Sequence, residues 1–275
     1  MQFAVNYSPQ AATLLVSGKA AFDLFKCPDW ADVINAASQY RPIYVHFPLA
    51  TRPNVLEAVD WGQIEGFLKQ TGTHYVNIHL APHTADFPGM AQNTCDPSWR
   101  DQLMESVLTG IQMVVSQFGK ENVIIENVPW DPDPKYAIPR PVIVPEFVNA
   151  VIDACGCGLL LDIAHARIAA LYLGLDPIAY LDQMPTRNLK EVHITGTLYD
   201  EEMLCWRDHF PMTNDDWMLT NYALAHIQSG EWPVPEIIAL EYGGIGPMFE
   251  WRSKSEVLLS DISHLQERLN DFHTN

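Results

Sequence analysis

The sequence predicts a single α/β domain over residues 1–275, folded as a (β/α)8 TIM barrel. Strand-like and helix-like segments alternate eight times along the chain, which favours a closed barrel. Six of the strand-like segments end on a residue that can bind a metal ion, and a barrel brings the ends of its parallel strands to one rim. An open doubly wound sheet would gather only a few of these residues at a switch point. The length of 275 residues also suits one undivided barrel.

The predicted strands are short apolar runs, and helical patterns lie between most of them. The strands are expected at residues 2–6, 20–26, 42–46, 74–79, 122–126, 158–162, 189–194 and 236–241. The clearest helices are expected at residues 29–40, 60–72, 98–119, 145–156 and 214–228, several of which open on an Asp or Asn that can cap free amides. Three long connections on one face, at residues 80–98, 127–144 and 195–213, are typical of binding loops.

Composition and charge argue against nucleic acid and membranes as partners. Thirty-four acidic residues against sixteen basic ones give a formal charge of −18, which disfavours nucleic acid as a partner. No apolar run approaches the roughly eighteen residues of a membrane span, and no signal segment is recognised, so we expect a cytoplasmic protein without a membrane partner. Five scattered cysteines are an odd number, which predicts free thiols in a reducing compartment.

The strand ends carry the candidate metal ligands. A polar residue that closes a buried strand is costly unless it is paired or coordinated, and six such residues indicate one shared polar centre. His165 follows one of them by three residues, and the loop segment CWRDHF adds an Asp and a His. The candidate ligands are therefore His46, His79, Glu126, Asp162, His165, His193, Asp208, His209 and Glu241. Imidazole and carboxylate groups suit Zn, Mn or Fe alike, so we expect one to three divalent ions of one of these metals. No residue is assigned to an organic cofactor.

The order of these residues resembles the xylose-isomerase-like barrels, which include endonuclease IV, sugar isomerases and epimerases, and multinuclear iron-dependent oxidases. The resemblance runs through nearly the whole chain. It implies ligands at the ends of strands three, four and five, an Asp and a His separated by two residues, a His ending strand seven and a Glu ending strand eight. These places are held by His46, His79, Glu126, Asp162, His165, His193 and Glu241.

One motif of these barrels departs from the pattern. The relatives carry an Asp-x-His pair after strand seven, whereas here Arg207 stands two residues before His209 and Asp208 is directly adjacent. Either Asp208 reaches the site through a local shift of the chain, or one metal position is altered.

The first functional interpretation is a metal-dependent sugar isomerase or epimerase acting on a small polyhydroxy molecule. The resemblance implies a single cation held by Glu126, Asp162, His193 and Glu241. Glu126 and Glu241 would then be catalytic and move protons, while the catalytic His165 contacts a substrate oxygen. Three further residues, Lys26, Asn127 and Trp130, are expected to contact the substrate.

Two other enzymes and one non-enzymatic role remain open. In a multinuclear iron-dependent oxidase, the additional histidines complete a two- or three-iron cluster that modifies a cysteine in a partner peptide. In a hydrolase resembling endonuclease IV, a metal-bound water attacks a phosphodiester, although the acidic charge opposes such a substrate. A metal-binding scaffold would keep every coordination position filled by protein, and the long loops argue against it.

Overall fold

Eight parallel strands form the centre of the molecule in the computed structural model, which describes residues 1–133, 136–246, 252–270 and 272. They are β1 (Gln2–Asn6), β2 (Leu24–Pro28), β3 (Ile43–His46), β4 (Val76–His79), β5 (Val123–Glu126), β6 (Gly158–Asp162), β7 (Leu189–Ile194) and β10 (Ile237–Leu240). Their order in the sheet is β3-β2-β1-β10-β7-β6-β5-β4. A separate antiparallel hairpin consists of β8 (Gly196–Asp200) and β9 (Cys205–Phe210). The predicted (β/α)8 barrel is confirmed.

Helices alternate with these strands and cover the outside of the sheet. They are α1 (Pro9–Val16), α2 (Ala31–Ala37), α3 (Pro53–Leu56), α4 (Trp61–Thr71), α5 (Ser98–Phe118), α6 (Pro145–Cys155), α7 (Ile163–Leu173), α8 (Pro177–Leu181), α9 (Asn214–Ser229) and α10 (Ser255–Asn270). The five helices predicted from the sequence correspond to α2, α4, α5, α6 and α9. Helix α9 begins with a capping box in which the Thr213 hydroxyl accepts from the Asp216 amide and the Asp216 carboxylate accepts from the Thr213 amide. No helix in the described ranges is both long and apolar enough to traverse a lipid bilayer.

The barrel interior explains why the strand ends meet. Alternate strand residues point inward, and below the rim they form two small buried clusters, one of Ala4, Leu24, Tyr44 and Ala239 and one of Tyr75, Ile124 and Leu160. Two residues further along several of these strands stand Lys26, His46, Glu126, Asp162 and Glu241. Because two steps along a strand return to the same face, these polar side chains also point inward, above an apolar floor.

The barrel closes between β3 and β4 through side chains more than through backbone pairing. Among the described residues, one isolated bridge joins Ala50 to His79 across this line. The side-chain amide of Asn77 adds two hydrogen bonds across this line. Its Oδ1 accepts from the Phe47 amide (2.7 Å) and its Nδ2 donates to the Phe47 carbonyl (2.9 Å). Below it, the Thr73 hydroxyl accepts from the Val45 amide (2.9 Å). We call this line the β3/β4 seam.

Several predicted strand boundaries differ from the structure by one to four residues, most of all in β2. Strand β2 begins at Leu24, not at residue 20, because Asp23 already exchanges hydrogen bonds with Phe3: its amide donates to the Phe3 carbonyl and its carboxylate accepts from the Phe3 amide. Lys26 is therefore in the middle of β2 and not at its end. The predicted loop at 195–213 contains the β8/β9 hairpin. All five cysteines are free, as predicted.

Candidate metal centre

The candidate ligands converge on one rim of the barrel. Three groups of residues each offer ligand atoms that lie within 4.8 Å of one another. The groups are His46 with His79 and Glu126, Glu126 with Asp162 and His165, and Asp162 with His193 and Glu241. Glu126 and Asp162 each belong to two groups, so carboxylates link neighbouring groups as bridging ligands do in multinuclear centres.

The first group, position A, lies at the ends of β3, β4 and β5. His46 Nε2 is 3.4 Å from His79 Nε2, and Glu126 Oε2 is 3.4 Å and 3.1 Å from these two nitrogens. Ligands bound about 2.1 Å from one ion stand roughly 3 to 3.5 Å apart. The His79 ring donates through Nδ1 to the Leu49 carbonyl (2.8 Å), which leaves Nε2 as the atom that can bind a metal.

The last of the three groups, which we call position B, comprises Asp162, His193 and Glu241. His193 Nδ1 is 3.0 Å from Glu241 Oε1 and 3.9 Å from Glu126 Oε1. Asp162 Oδ2 and His193 Nδ1 are buried and have no hydrogen-bond partner within the described part of the chain. Buried polar atoms without partners are rare in folded proteins. A cation between them would satisfy both atoms, so position B fits a metal ion.

His165 faces Asp208, and we call these two residues, with the adjacent His209, position C; it is not one of the three groups given above. The His165 ring donates through Nδ1 to the Asn127 carbonyl (2.9 Å), so the nitrogen that faces Asp208 Oδ2, at 2.9 Å, is Nε2. The Nδ1 atom is also 3.6 Å from Asp162 Oδ2, but a nitrogen that donates a proton cannot also bind a metal. His209 donates through Nδ1 to the Glu241 carbonyl (2.5 Å), which fixes the orientation of its ring.

A bulge in β9 answers the question raised by the missing Asp-x-His pair. Leu198 pairs with Arg207 and Gly196 with Phe210, so one residue of β8, Thr197, faces both Asp208 and His209. His209 has a left-handed backbone with φ of 58°, a conformation that one type of bulge contains. Adjacent side chains of a regular strand point to opposite faces, whereas here both residues reach the centre. Asp208 is thus brought in by a local shift.

Burial and nearby charges together determine the pKa values of the acidic groups of the centre. Burial raises the pKa of Asp162 to about 7; Glu241 adds to the rise, and His165 and His193 oppose it. For Glu241 burial acts in the same direction, but the positive charges of His193 and Lys26 outweigh it and hold the pKa below its ordinary value. Asp208 likewise keeps a lowered pKa, because His209 and His165 outweigh the effect of burial.

Three histidines of the centre have shifted pKa values in the absence of metal. Burial, Lys26 and the neighbouring histidines lower the pKa of His46 well below its ordinary value, so His46 is neutral and ready to bind a cation. For His165 and His193 burial also acts to lower the pKa, but Asp162 and Glu241 respectively outweigh it and raise the pKa. Protons and the ammonium of Lys26 therefore neutralise the carboxylates that a metal would otherwise neutralise.

The three predicted substrate contacts have different surroundings. Lys26 is buried at the rim and forms an ion pair with Glu241. Asn127 is engaged with Asp162, since its Nδ2 donates to the Asp162 carbonyl and its Oδ1 accepts from the Asp162 amide, both at 2.9 Å. Trp130 is 5% exposed and donates through Nε1 to the Ile138 carbonyl (2.9 Å). Lys26 lines the central cavity, whereas Asn127 and Trp130 do not.

This cavity of about 560 Å³ opens directly above the ligands. Its floor contains His46, His79, Glu126, His165, His209 and Glu241. Its walls are largely apolar and include Tyr7, Trp30, Pro48, Val128, Ile138 and Ile245. A reactive polar floor under apolar walls is the usual arrangement of an active site.

The sequence profile of the RiPP precursor modification enzyme MbnB/TglH/ChrH family matches residues 63–238. The chain belongs to this family. The matched segment includes most of the ligand side chains, from His79 to His209. His46 and Glu241 lie outside it and are placed at the centre by the barrel itself.

Two curated relatives of this family member have names that state no activity. It is 26% identical over 188 residues to a UPF0276 protein of Acaryochloris marina, covering 67% of this chain and 61% of the relative. It is 29% identical over 140 residues to a UPF0276 protein of Pseudomonas aeruginosa, covering 50% of this chain and 46% of the relative. The matches thus span less than two thirds of each relative.

Solved structures with the same architecture include several enzymes. A sugar phosphate isomerase/epimerase from Parabacteroides distasonis superposes with a TM-score of 0.57 at 9% identity, covering 96% of this chain and 98% of that one. A family 2 AP endonuclease from Brucella melitensis gives 0.53 at 13% identity, covering 89% and 94%. A D-allulose 3-epimerase from Methylomonas gives 0.54 at 11% identity, covering 98% and 97%. These similarities show the xylose-isomerase-like fold that the sequence predicted.

Two residues that contact the candidate metal ligands were not predicted from the sequence. Asn77 Nδ2 is 3.1 Å from His46 Nε2 and 3.5 Å from Glu126 Oε2. Glu191 Oε1 is 2.7 Å from His193 Nε2. Each stands two residues before a histidine ligand on its own strand, so the two-residue strand period was a signal that could have found both.

Proposed function

We propose that this protein is a multi-metal oxidase, with iron as its metal, that modifies a cysteine-containing precursor peptide. The observation that carries the proposal is that positions A and B and the His165–Asp208 pair lie at one rim of the barrel, where six of the candidate ligands line a single cavity. The family description supports a peptide substrate, because a RiPP precursor is a ribosomally made peptide.

Several residues of the chain would bind the metal ions and orient their ligands. Glu126 directs Oε2 toward His79 of position A and Oε1 toward His193 of position B, so it would contribute to metal binding at both positions. Hydrogen bonds from Nδ1 to backbone carbonyls orient the rings of His79, His165 and His209, which pre-organises their Nε2 atoms. Iron bound there would supply the redox chemistry, the passage of electrons from the peptide to dioxygen.

The cavity walls would hold the substrate side chain over this floor. Their apolar character excludes water, which protects reactive species and strengthens electrostatic interactions within the site. Metal ions at the floor would replace the protons on His165 and His193 that balance the carboxylates in the metal-free state. Lys26 would remain as a fixed positive charge beside Glu241.

A one-metal sugar isomerase or epimerase is the second candidate. Position B with Glu126 supplies the Glu, Asp, His and Glu set that this activity needs, and two superposed structures carry epimerase names. In that case Glu126 and Glu241 would move the proton. However, His46, His79 and position C would have no role in the chemistry, and Glu241 is engaged with Lys26.

Metal counting tests the proposal first. The protein is loaded anaerobically with Fe(II), desalted, and analysed for iron per chain. We expect two to three ions, and we expect Glu126→Gln to lose at least one because a bridging oxygen becomes an amide. Glu65→Gln is the matched control, since Glu65 pairs with Lys69 on the surface of α4. A single ion that is unaffected by His46→Ala and Asp208→Asn would contradict the oxidase and favour the isomerase.

Activity assays then separate the remaining functions. The iron-loaded protein is given synthetic cysteine-containing peptides and dioxygen, and mass spectrometry follows the peptides while an electrode follows oxygen. Oxygen consumption with a changed peptide mass would support the oxidase. Interconversion of ketohexoses by a manganese-loaded form, or nicking of abasic DNA by a zinc-loaded form, would instead identify an epimerase or an endonuclease.

A further inference from the structure

We infer that Arg252 is a positioning residue for the metal at position C and acts through the backbone of Asp208 and His209. This inference rests on the proposed multi-metal centre. Arg252 belongs to the segment that follows β10, more than forty residues from the hairpin that it contacts.

The bulge in β9 needs support from outside the strand. His209 is an L-residue with φ of 58°, a backbone conformation that such residues rarely adopt. Conformations of this kind persist only where the surrounding structure holds them, and they cluster at functional sites. Since the bulge alone places Asp208 and His209 on the same side, its loss would turn one of them away from His165.

Arg252 makes the contacts that hold the bulge. Its Nη1 donates to the Asp208 carbonyl at 2.7 Å and lies 3.5 Å from the His209 carbonyl. Its guanidinium stands 4.9 Å from the ring centroid of Phe210, the next residue of β9. The side chain is 4% exposed, and a planar guanidinium can address neighbouring acceptors and a ring face together.

The opposite strand of the hairpin is fixed independently of Arg252. The Thr197 amide and hydroxyl both donate to the Asp216 carboxylate, at 3.1 Å and 3.0 Å. A Cβ on Gly196 would lie 2.0 Å from the Pro211 carbonyl oxygen, so the base of the hairpin is closed as tightly as glycine permits. Removing Arg252 should therefore release the bulge in β9 while the hairpin stays attached.

The test counts metal ions in Arg252→Met and Arg252→Lys. We expect Arg252→Met to lose about one Fe(II) per chain, the same ion that Asp208→Asn loses, and the double variant to lose no more than either. Arg252→Lys, which can still donate to one carbonyl, should retain part of the lost iron. Arg187→Met is the matched control, because Arg187 forms an exposed pair with Asp153. The melting temperature of the metal-free variants reports folding separately.

The possible outcomes are distinct. If Asp208→Asn loses an ion but Arg252→Met keeps all of them, Arg252 is only structural and the inference is overturned, whatever the melting temperature. If Asp208→Asn itself leaves the count unchanged, position C holds no metal, and the multi-metal proposal fails together with the role of Arg252. If Arg252→Met does not fold, Arg252→Lys and Arg252→Gln decide by the same count.

Discussion

Replacing Asp162 with asparagine should change the metal-free and the metal-loaded protein in opposite directions. Asp162 is fully buried at the end of β6. Its Oδ1 accepts from the His165 amide at 2.8 Å, a bond that the asparagine oxygen can keep. The variant should therefore fold normally. Without metal it should be more stable than the wild type at pH 8, and with metal it should lose the stabilisation that an ion at position B provides.

The size of the first effect follows from the pKa. Burial, the largest cause, raises the pKa of Asp162 from 3.8 to about 7. Between about pH 4 and 7 the folded state therefore keeps a proton that the unfolded chain has lost, so the free energy of unfolding falls as pH rises through this window. At about 1.4 kcal/mol per unit the full penalty is of order 4 kcal/mol. Asparagine removes it, which corresponds to a gain of roughly 5 to 10 °C in melting temperature.

Calorimetry on chelator-treated protein at pH 4 and pH 8 measures this gain, and the same scans with Fe(II) measure the loss. An ion present at a hundred times its dissociation constant stabilises the wild type by about 2.7 kcal/mol. Asp153→Asn is the control, because Asp153 is exposed on α6. The reasoning would be refuted if Asp162→Asn were less stable than the wild type in the absence of metal at pH 8, or if it gained as much from Fe(II) as the wild type does.

Glu191→Gln should lower metal affinity at position B about 10- to 100-fold in a chelator competition, because it weakens the hydrogen bond to His193 Nε2. An unchanged affinity would contradict this prediction. Gly196→Ala places a methyl group 2.0 Å from the Pro211 oxygen and should cost about 1 to 3 kcal/mol in urea unfolding. Asp261, 6% exposed, has a pKa raised by burial to about 6. Asp261→Asn should therefore stabilise by up to about 3 kcal/mol above pH 6, and an equal gain at pH 4 speaks against this.

The barrel and its rim were predictable because buried parallel strands are continuous apolar runs. At 158–162 and 189–194 the predicted and the observed strands have the same bounds. Strand β2 was placed too early because residues 20–22 are apolar too, and only the pairing of Asp23 with Phe3 shows where the ladder begins. The convergence of ligands followed from the fold alone, since every parallel strand delivers its last inward residue to one face.

The finer arrangement depends on contacts between residues that are distant in sequence. No local signal marks His209 as left-handed, because it is not glycine and the contacts to this part of β9 come from residues distant in sequence, such as Arg252. Likewise, an aromatic residue in a proline-rich loop looks available to a ligand, yet Trp130 turns its indole inward to the Ile138 carbonyl. Sequence patterns report burial and period, whereas such orientations are decided by tertiary hydrogen bonds.

The β3/β4 seam should open locally more often than the rest of the sheet in the metal-free protein. His46 ends one of its two strands and His79 ends the other, so position A straddles the line where backbone pairing is sparsest. An ion bound at position A would link the two edges of the sheet and stabilise the closed barrel. Amide hydrogen exchange in β3 and β4 should accordingly slow on metal uptake far more than in β6 and β7, whose ladder is continuous except at one register shift.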